Sequence, residues 1–412
     1  MNKYLKYTLR GFGIFLGILV VLWIGVYIYV SVNKKSIIKQ VTTEISEKIA
    51  GTVTIEDVDI SFLKKFPDVS VMLKNVLVKD SLYEKHKHAF FEGEAIYIKL
   101  GITKLIRQKS ALTGLKIVRG SFYQYTDASG YSNDYLYKAK KDAEQNKGPR
   151  GKNELKNITF EQVRVTLDDQ RRKKFHDFAV KDFSADLDDN DSAFLVLDVN
   201  ADILVNSLSF NVPRGSFIKG KTFVGDFKIK YNKLQKQLQF DDIEVAISKQ
   251  PFKFSGKFDL EGSNPQFSLK VNTRNILYPF AKTLVTEKIA KALSIVSLDK
   301  KVDVDVSVSG PLRAEPLIRI SWLTNNTNLK TPFLDFQNAS FSGSYTNEVV
   351  KGKKRNDENK KIELNDFKAE WQGLPLTSNN LQIVNLVNST VICDLQTAFP
   401  LVRLNKIINT SS

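Results

Sequence analysis

Side chains able to bind a metal or activate a nucleophile are few in this chain. It has three histidines in 412 residues, His86, His88 and His176, and one cysteine, Cys393. His86 and His88 are two residues apart, so on a strand they would point to one face and could supply two metal ligands. No cysteine or compact carboxylate cluster lies near them in the sequence, and a surface turn is the simpler interpretation. We therefore predict no metal site and no cofactor.

Motifs for covalent or phosphoryl chemistry are also missing from the sequence. No serine stands in a G-x-S-x-G segment, and a Ser-His-Asp arrangement would need one of the three histidines. There is no phosphate-binding P-loop, and Gly11-Phe-Gly13 falls inside an apolar run instead of between a strand and a helix. We predict no catalytic residues and no enzyme activity. Paired carboxylates far apart in the sequence, as in carbohydrate-active enzymes, stay open as an alternative.

An apolar run at the N-terminus is the clearest element of the sequence. Residues 11–33 contain no charged side chain, and lysines or arginine flank the run on both sides. At about 1.5 Å per residue, a helix of this length crosses a bilayer core of roughly 30 Å. The run is too long for a typical signal peptide and has no A-x-A-like cleavage site, so we predict an uncleaved anchor, with a buried core helix as the alternative. The anchor residues would be Phe12, Ile14, Phe15, Leu16, Ile18, Leu19, Val20, Val21, Leu22, Trp23 and Ile24.

The short tail before the run sets the expected orientation. Residues 1–10 carry no carboxylate, and we expect them to stay on the cytoplasmic side. The rest of the chain would then lie across the membrane, in a periplasm or an equivalent lumen. Because Cys393 is alone, no disulfide can form within the chain.

The chain is strongly basic, and its net charge indicates which classes of partner it could bind. The formal net charge is +16, and most of it lies beyond residue 33. A basic body tethered to a bilayer would be attracted to anionic head groups within a Debye length of about 10 Å. Nucleic acid is the other usual partner of a basic chain, but the anchor argues against it. A solvated lysine-rich surface is the plainer alternative.

The segment after the anchor predicts an amphipathic helix at 34–50. Ile37, Ile38, Val41, Ile45 and Ile49 recur at helical spacing. Gly51 follows and would end the helix.

Beyond residue 51 the sequence is typical of strands. Short alternating runs recur between Gly, Pro, Asn and Asp, and in 302–308 four valines share one face. Such strands predict a long antiparallel meander with one apolar and one polar side. The clearest runs are 68–73, 162–167, 194–205, 223–231, 238–247, 252–260, 267–271 and 302–308.

One segment breaks the strand pattern, and two others show no periodicity. In 277–296 apolar residues such as Phe280, Leu284 and Ile289 fall three or four apart, which predicts an amphipathic helix of about five turns. Residues 138–154 and 350–361 are polar and irregular, and predict mobile surface loops.

Several stretches follow one another in a distinctive order over most of the chain. The first is Gly51-Thr-Val-Thr-Ile-Glu-Asp-Val-Asp59, followed by Phe66-Pro67-Asp-Val-Ser-Val-Met-Leu-Lys-Asn-Val-Leu-Val-Lys-Asp80. The segment from Leu112 to Asn133 then has a strand, an acidic-Gly turn and an asparagine. The helix at 277–296, the strand at 302–310 and Phe341-Ser-Gly-Ser-Tyr-Thr-Asn347 come later. Together these stretches resemble the AsmA-like family of bacterial envelope proteins, in the versions found in Bacteroidetes.

The resemblance implies a single-pass protein of the bacterial inner membrane with a periplasmic body. A long curled sheet would form an open apolar groove that conducts phospholipid for outer-membrane biogenesis and maintenance. Its partners would be phospholipid, the inner membrane and outer-membrane or periplasmic assembly proteins. The expected parts are a cytoplasmic tail (1–10), the anchor (11–33), an amphipathic helix (34–50), a groove domain (51–276), a second helix (277–298) and a further β-rich segment (299–412).

The side chains that would line the groove follow from the alternation of apolar and polar residues. The candidates are Leu195, Leu197, Val199, Val302, Val304, Val306 and Val308. The alternative is a closed β-sandwich, in which opposing apolar faces bury one another. Such a body would suit an envelope scaffold or assembly factor that transports nothing.

Overall fold

The computed structural model describes residues 32, 51–62, 69–100, 112–138, 155–312 and 314–404. This part of the chain is mainly β, as predicted, and its strands pair in a mostly antiparallel sheet that does not close. The predicted helix at 34–50 and the predicted anchor, apart from Val32, lie outside the described residues. Within the described ranges, no helix combines the length and apolarity needed to cross a membrane.

The chain divides into two compact units. The first takes in Met1–Arg172 and Ala179–Ser184, and the second Lys173–Phe178 and Ala185–Ser412. The elements of the first unit are β1 (Thr52–Phe62), β2 (Val69–Lys79), α1 (Tyr83–His86), β3 (Phe91–Leu100), β4 (Leu112–Thr126), α2 (Tyr135–Lys138) and β5 (Asn157–Asp169). Strand β6 (Lys174–Asp188) contributes residues to both units.

The second unit holds the remaining elements. These are β7 (Phe194–Asn211), β8 (Gly215–Phe217), β9 (Lys221–Asn232), β10 (Gln237–Ile247), β11 (Gln250–Asp259), β12 (Gln266–Leu277), α3 (Tyr278–Lys282), α4 (Glu287–Leu293), β13 (Ser297–Leu298), β14 (Lys301–Pro311), β15 (Leu317–Lys330), β16 (Asp335–Thr346), β17 (Lys361–Trp371), β18 (Leu374–Val384) and β19 (Thr390–Cys393). Short 3-10 turns lie at Val212–Arg214, Asp357–Asn359 and Leu401–Leu404.

The first unit is an antiparallel meander that ends in a parallel pair. Strands β1 to β4 pair antiparallel in order, and Val58 lies opposite Leu73 in its core. Strand β5 then pairs with β4 in parallel, from Gly114 opposite Asn157 to Thr126 opposite Asp169. The predicted antiparallel meander therefore holds for β1 to β4, and the parallel pair of β4 and β5 departs from it. About thirty residues lie between β4 and β5, and a parallel pair needs a connection of only about a dozen or more.

The second unit is an antiparallel ladder over most of its length. Strand β7 pairs with β9, and pairing continues through β10, β11, β12, β14, β15, β16, β17 and β18 to β19. Short β8 pairs with β7, and β13 with β15. Each run predicted as a strand from 194 to 308 lies mostly within one of these strands.

The predicted five-turn helix at 277–296 is wrong in its length. Leu277 is the last residue of β12, and the segment forms two short helices, α3 and α4. The break falls at 283–286, where the Thr283 hydroxyl donates to the Phe280 carbonyl at 2.7 Å and the extended Thr286 caps α4. A threonine hydroxyl that bonds to a backbone carbonyl competes with the helical hydrogen bonds. The helix therefore stops at these threonines, although apolar residues continue to recur at helical spacing beyond them.

Bulges interrupt the ladder of the second unit at polar residues. Asp242, Asn275, Asn326, Asn338 and Asp366 all have a left-handed backbone, and all five lie at a register shift. A bulge leaves one residue unpaired and bends the strand, and Asn and Asp adopt this conformation at lower cost than other residues. The bulges therefore bend the sheet at several neighbouring strands.

The two predicted loops have different outcomes. Residues 139–154 of the first lie outside the described residues. The second is a loop between β16 and β17, as predicted, and contains one 3-10 turn. Its backbone is fixed by Asn359, whose Oδ1 accepts from the amides of Val349 and Val350 at 3.1 and 2.8 Å.

Candidate functional site

The predicted groove residues belong to one ladder of the second unit. Val304, Val306 and Val308 of β14 lie opposite Trp322, Ile320 and Ile318 of β15. On the other side, Val306 and Val308 lie opposite Val271 and Leu269 of β12. Since residues directly opposite in an antiparallel pair share a face, these side chains form rows across the strands.

The same rows continue in both directions along the ladder. Leu195, Leu197 and Val199 of β7 lie opposite Tyr231, Ile229 and Phe227 of β9. We call this side of the second unit the apolar face. Its further members are Leu238, Phe240, Ile243 and Val245 on β10, Phe252, Phe254 and Phe258 on β11, Phe267 on β12, Phe341 and Tyr345 on β16, Ile362 and Leu364 on β17, Leu381 and Ile383 on β18, and Val391 on β19.

Burial changes along each strand of the apolar face. Val302 is 4% exposed and belongs to a core cluster with Phe252, Ile276 and Phe341, whereas Val306 and Val308 are only partly buried. Leu195 and Leu197 are partly buried too. In a closed sandwich an opposing sheet would bury such residues fully. One end of the apolar face is therefore covered and the other is partly open.

Helix α3 and the turn that follows it cover the buried end. Tyr278, Phe280, Ala281 and Leu284 pack against the core cluster from this insertion. The Tyr278 hydroxyl donates to the Leu293 carbonyl at 2.7 Å, which ties the start of α3 to the end of α4. Burial of this phenol raises its pKa to about 12, so it stays protonated.

Aromatic rings lie flat on the apolar face where the neighbouring strand has glycine. Phe240 lies opposite Gly256, and a Cβ on that glycine would come within 2.3 Å of the ring. The rings of Phe240, Phe258 and Phe267 stack in sequence across three strands, with centroids 6.0 and 5.7 Å apart. The apolar face therefore presents a row of stacked aromatic rings across β10, β11 and β12.

The opposite side of the same strands is polar and paired. Lys228 lies 3.1 Å from Asp198, and Lys253 lies 3.1 Å from Glu244, in each case across neighbouring strands. Arg274 donates to both carboxylate oxygens of Asp305, and this hydrogen bond lowers the pKa of Asp305 despite partial burial. Polar pairs of this kind keep one side of the sheet in water.

The β16–β17 loop lies near helix α4. A hydrogen bond from Lys360, followed by the charges of Lys288 on α4 and of Arg214, lowers the pKa of Asp357 in this loop. Burial raises the pKa of Tyr345, a member of the apolar face. The charges of Lys360 and Asp357 also act on this pKa. Charged residues of the loop thus lie beside the apolar face.

The histidine pair of the first unit does not form a ligand set. His86 ends α1, its side chain is 7% exposed, and its Nε2 lies 3.0 Å from both oxygens of the buried Asp80. The His88 amide donates to His86 Nδ1 at 3.1 Å, so both ring nitrogens are in use. The His88 ring stacks on Tyr123 at 4.1 Å. The pair lies in a turn, as the simpler interpretation held, but the side chain of His86 is buried against Asp80.

Two cavities among the described residues are lined mainly by polar side chains. One, of about 210 Å³, lies beside His86, His88, Tyr125 and Tyr131 in the first unit. The other, of about 590 Å³, lies on the polar side of the second unit and is lined by Asp299, Lys300, Lys301 and Asp303, among others. Nowhere in the described ranges do three or more His, Cys, Asp or Glu side chains form a cluster that could hold a metal.

Seven residues of the apolar face were predicted from the sequence, and most of its other members were not. The predicted residues on β7 and β14 are separated in the ladder by β9 to β12, and the intervening rows carry Phe227, Phe254 and Leu269. Alternation along 223–231 and 267–271 contained this signal, because exposed and partly buried residues alternate there. Only the register shows that the separate runs share one side.

Comparison with protein-family models, with curated proteins and with solved structures finds no match to this chain.

Proposed function

We propose that this chain binds the acyl chains of phospholipid along the apolar face and conducts lipid between envelope membranes. The observation that carries the proposal is the row of Val308, Leu269 and Ile318, which continues across neighbouring strands and is only partly buried. A soluble protein rarely leaves so long an apolar surface open unless something binds there.

The energetics favour an acyl chain as the ligand. Each methylene moved from water to an apolar surface contributes about 0.8 kcal/mol. Aliphatic rows and flat aromatic rings suit a long flexible hydrocarbon, while the head group can stay in water at the open end. The bends at the bulges would curl the sheet and turn the apolar face into a groove.

The membrane setting is part of the same proposal. The uncharged run at 11–33 would anchor the chain in a bacterial inner membrane, with residues 1–10 in the cytoplasm and the β-rich body in the periplasm. This arrangement agrees with the resemblance to the AsmA-like family. It would place a lipid-binding body beside a source of lipid, with assembly proteins of the periplasm or outer membrane as further partners.

Lipid that purifies with the full chain tests the proposal. We would replace Val306 and Val308 together by aspartate and measure bound phospholipid by mass spectrometry. The matched control replaces Ser307 and Ser309 by aspartate, on the other side of the same strand. Lipid around an anchor would be the same in both variants, so a difference between them reports the apolar face. We expect a large loss of phospholipid in the valine variant only.

Two results would contradict lipid binding. One is a parent protein that carries no more phospholipid than the valine variant. The other is a valine variant that folds, keeps its lipid and supports normal envelope permeability. Either would favour the alternative of an envelope scaffold that transports nothing.

A further inference from the structure

An unusually exposed aromatic residue lies at the hairpin between β15 and β16. Phe333 is 91% exposed, and Leu334 beside it is 38% exposed. Ile295 is 62% exposed and lies two residues before Ser297, which pairs with Lys330 at the base of the same hairpin. We call Ile295, Phe333 and Leu334, together with Lys291, Lys300 and Lys330, the hairpin-tip patch.

The turn that presents Phe333 is rigid. The Thr331 hydroxyl donates to the Leu334 carbonyl at 2.8 Å and accepts from the Leu334 amide at 3.0 Å. The Thr331 amide donates to the same carbonyl at 3.0 Å, and Pro332 restricts the backbone further. Because these four constraints already fix the backbone at Phe333, that backbone would lose little conformational entropy on binding.

Three exposed lysines belong to the hairpin-tip patch. Lys291, Lys300 and Lys330 are exposed, and none of them lies within ion-pair distance of a carboxylate in the part of the chain that the structure describes. Asp335 is the acidic residue opposite Lys330, and the carboxylate of Asp299 is occupied by Asn328 and Thr327. Three lysines stand against these two carboxylates, so the patch keeps a small net positive charge beside its apolar tip.

We propose that the hairpin-tip patch inserts into the surface of a bilayer that contains anionic lipid. Aromatic side chains favour the head-group region, and neighbouring lysines are attracted to an anionic surface. A protein partner fits less well, because lysine is depleted at protein interfaces and three apolar side chains are few for a stable one. The proposal does not depend on lipid binding by the apolar face.

A dye at the tip tests the insertion in the full chain. In a Cys393→Ser background, which removes the native cysteine, we would introduce Phe333→Cys and attach an environment-sensitive fluorophore. The labelled protein, held in phosphatidylcholine nanodiscs, would be mixed with separate vesicles rich in phosphatidylglycerol. We expect a blue shift and brighter emission, weakened by high salt and by Lys291→Glu with Lys330→Glu.

A second hairpin supplies the matched control. Leu234, at the turn between β9 and β10, is 81% exposed and stands beside Lys233. A dye at Leu234→Cys should show no shift with the same vesicles. An unchanged dye at position 333, or an equal shift at both positions, would overturn the proposal.

The two proposals can fail separately. Phe333→Ser should abolish vesicle association and leave the amount of co-purified phospholipid unchanged. A protein that lacks bound lipid but still inserts its hairpin tip would contradict the proposed function alone.

Discussion

The indole ring of Trp322 lies across Gly343 of the neighbouring strand. A Cβ on residue 343 would come within 2.0 Å of the indole Cε2. The two residues are directly opposite in the β15–β16 ladder. The ring can therefore lie flat on the apolar face only because residue 343 has no side chain.

This relationship predicts a cost for the smallest possible substitution. Gly343→Ala must push the indole away from the sheet, and we expect a loss of about 1–3 kcal/mol in the free energy of unfolding, as for other overpacked sites. Urea denaturation followed by circular dichroism measures it. Ser344→Ala, one residue further on the opposite side of β16, serves as the control and should change stability by less than about 0.5 kcal/mol. Equal stability of the two variants would show that the ring has room elsewhere.

A buried amide replaces strand pairing at the end of β16. Asn347 is 2% exposed; its Oδ1 accepts from the Ile318 amide at 2.8 Å and its Nδ2 donates to the Pro316 carbonyl at 2.9 Å. In the first unit Asn133 does the same for Tyr125 and Tyr123.

Removing the Asn347 amide should leave two backbone groups without partners. We expect Asn347→Ala to lower the free energy of unfolding by about 1–3 kcal/mol for each group that stays buried and unpaired. Thermal unfolding of the variant measures the loss. Asn388→Ala, at an exposed asparagine between β18 and β19, should be nearly neutral. If Asn347→Ala melted with the parent, water would be replacing the amide.

The strands were predictable from the sequence. In a strand such as 302–308, apolar and polar residues alternate because one side of the strand faces apolar neighbours and the other faces water. The bulges were not predictable. Asn275 and Asp242 are polar residues inside strands, and the sequence alone does not separate a bulge from an ordinary residue on the polar side. The parallel pairing of β4 and β5 was missed because the order of strands in a sheet is a long-range property. Similarly, nothing in the sequence around His86 indicates that Asp80 lies within hydrogen-bond distance of its ring.

The backbone conformation at the Asn275 bulge can be tested by two substitutions of this residue. Its φ is 56°, and its freed amide donates to Asp303 Oδ1 at 2.8 Å. Asn275→Val places a β-branched residue in the left-handed region, at a cost of about 1–2 kcal/mol. Asn275→Gly keeps the conformation accessible and should stay within about 0.5 kcal/mol of the parent. Denaturant unfolding of the two variants compares them, and a valine variant as stable as the glycine variant would contradict the assigned backbone strain.

His176 predicts a dependence of stability on pH. Burial, followed by the charge of Lys174, lowers the pKa of His176 in the folded protein, and its Nδ1 is buried without a hydrogen-bond partner among the described residues. In the unfolded chain the ring protonates near its ordinary pKa of about 6.5. Below that pH the unfolded state binds more protons than the folded state, so stability should fall as the solution becomes more acidic.

A neutral substitute at this position isolates the effect. His176→Gln cannot titrate, so its free energy of unfolding should fall less than that of the parent when the pH is lowered from neutral through the ordinary pKa of histidine. Lys174→Gln keeps the ring but removes the repelling charge, and should give an intermediate slope. Urea unfolding across this pH range measures all three proteins. Parallel curves for the parent and His176→Gln would mean that the ring protonates equally well in the folded and unfolded states.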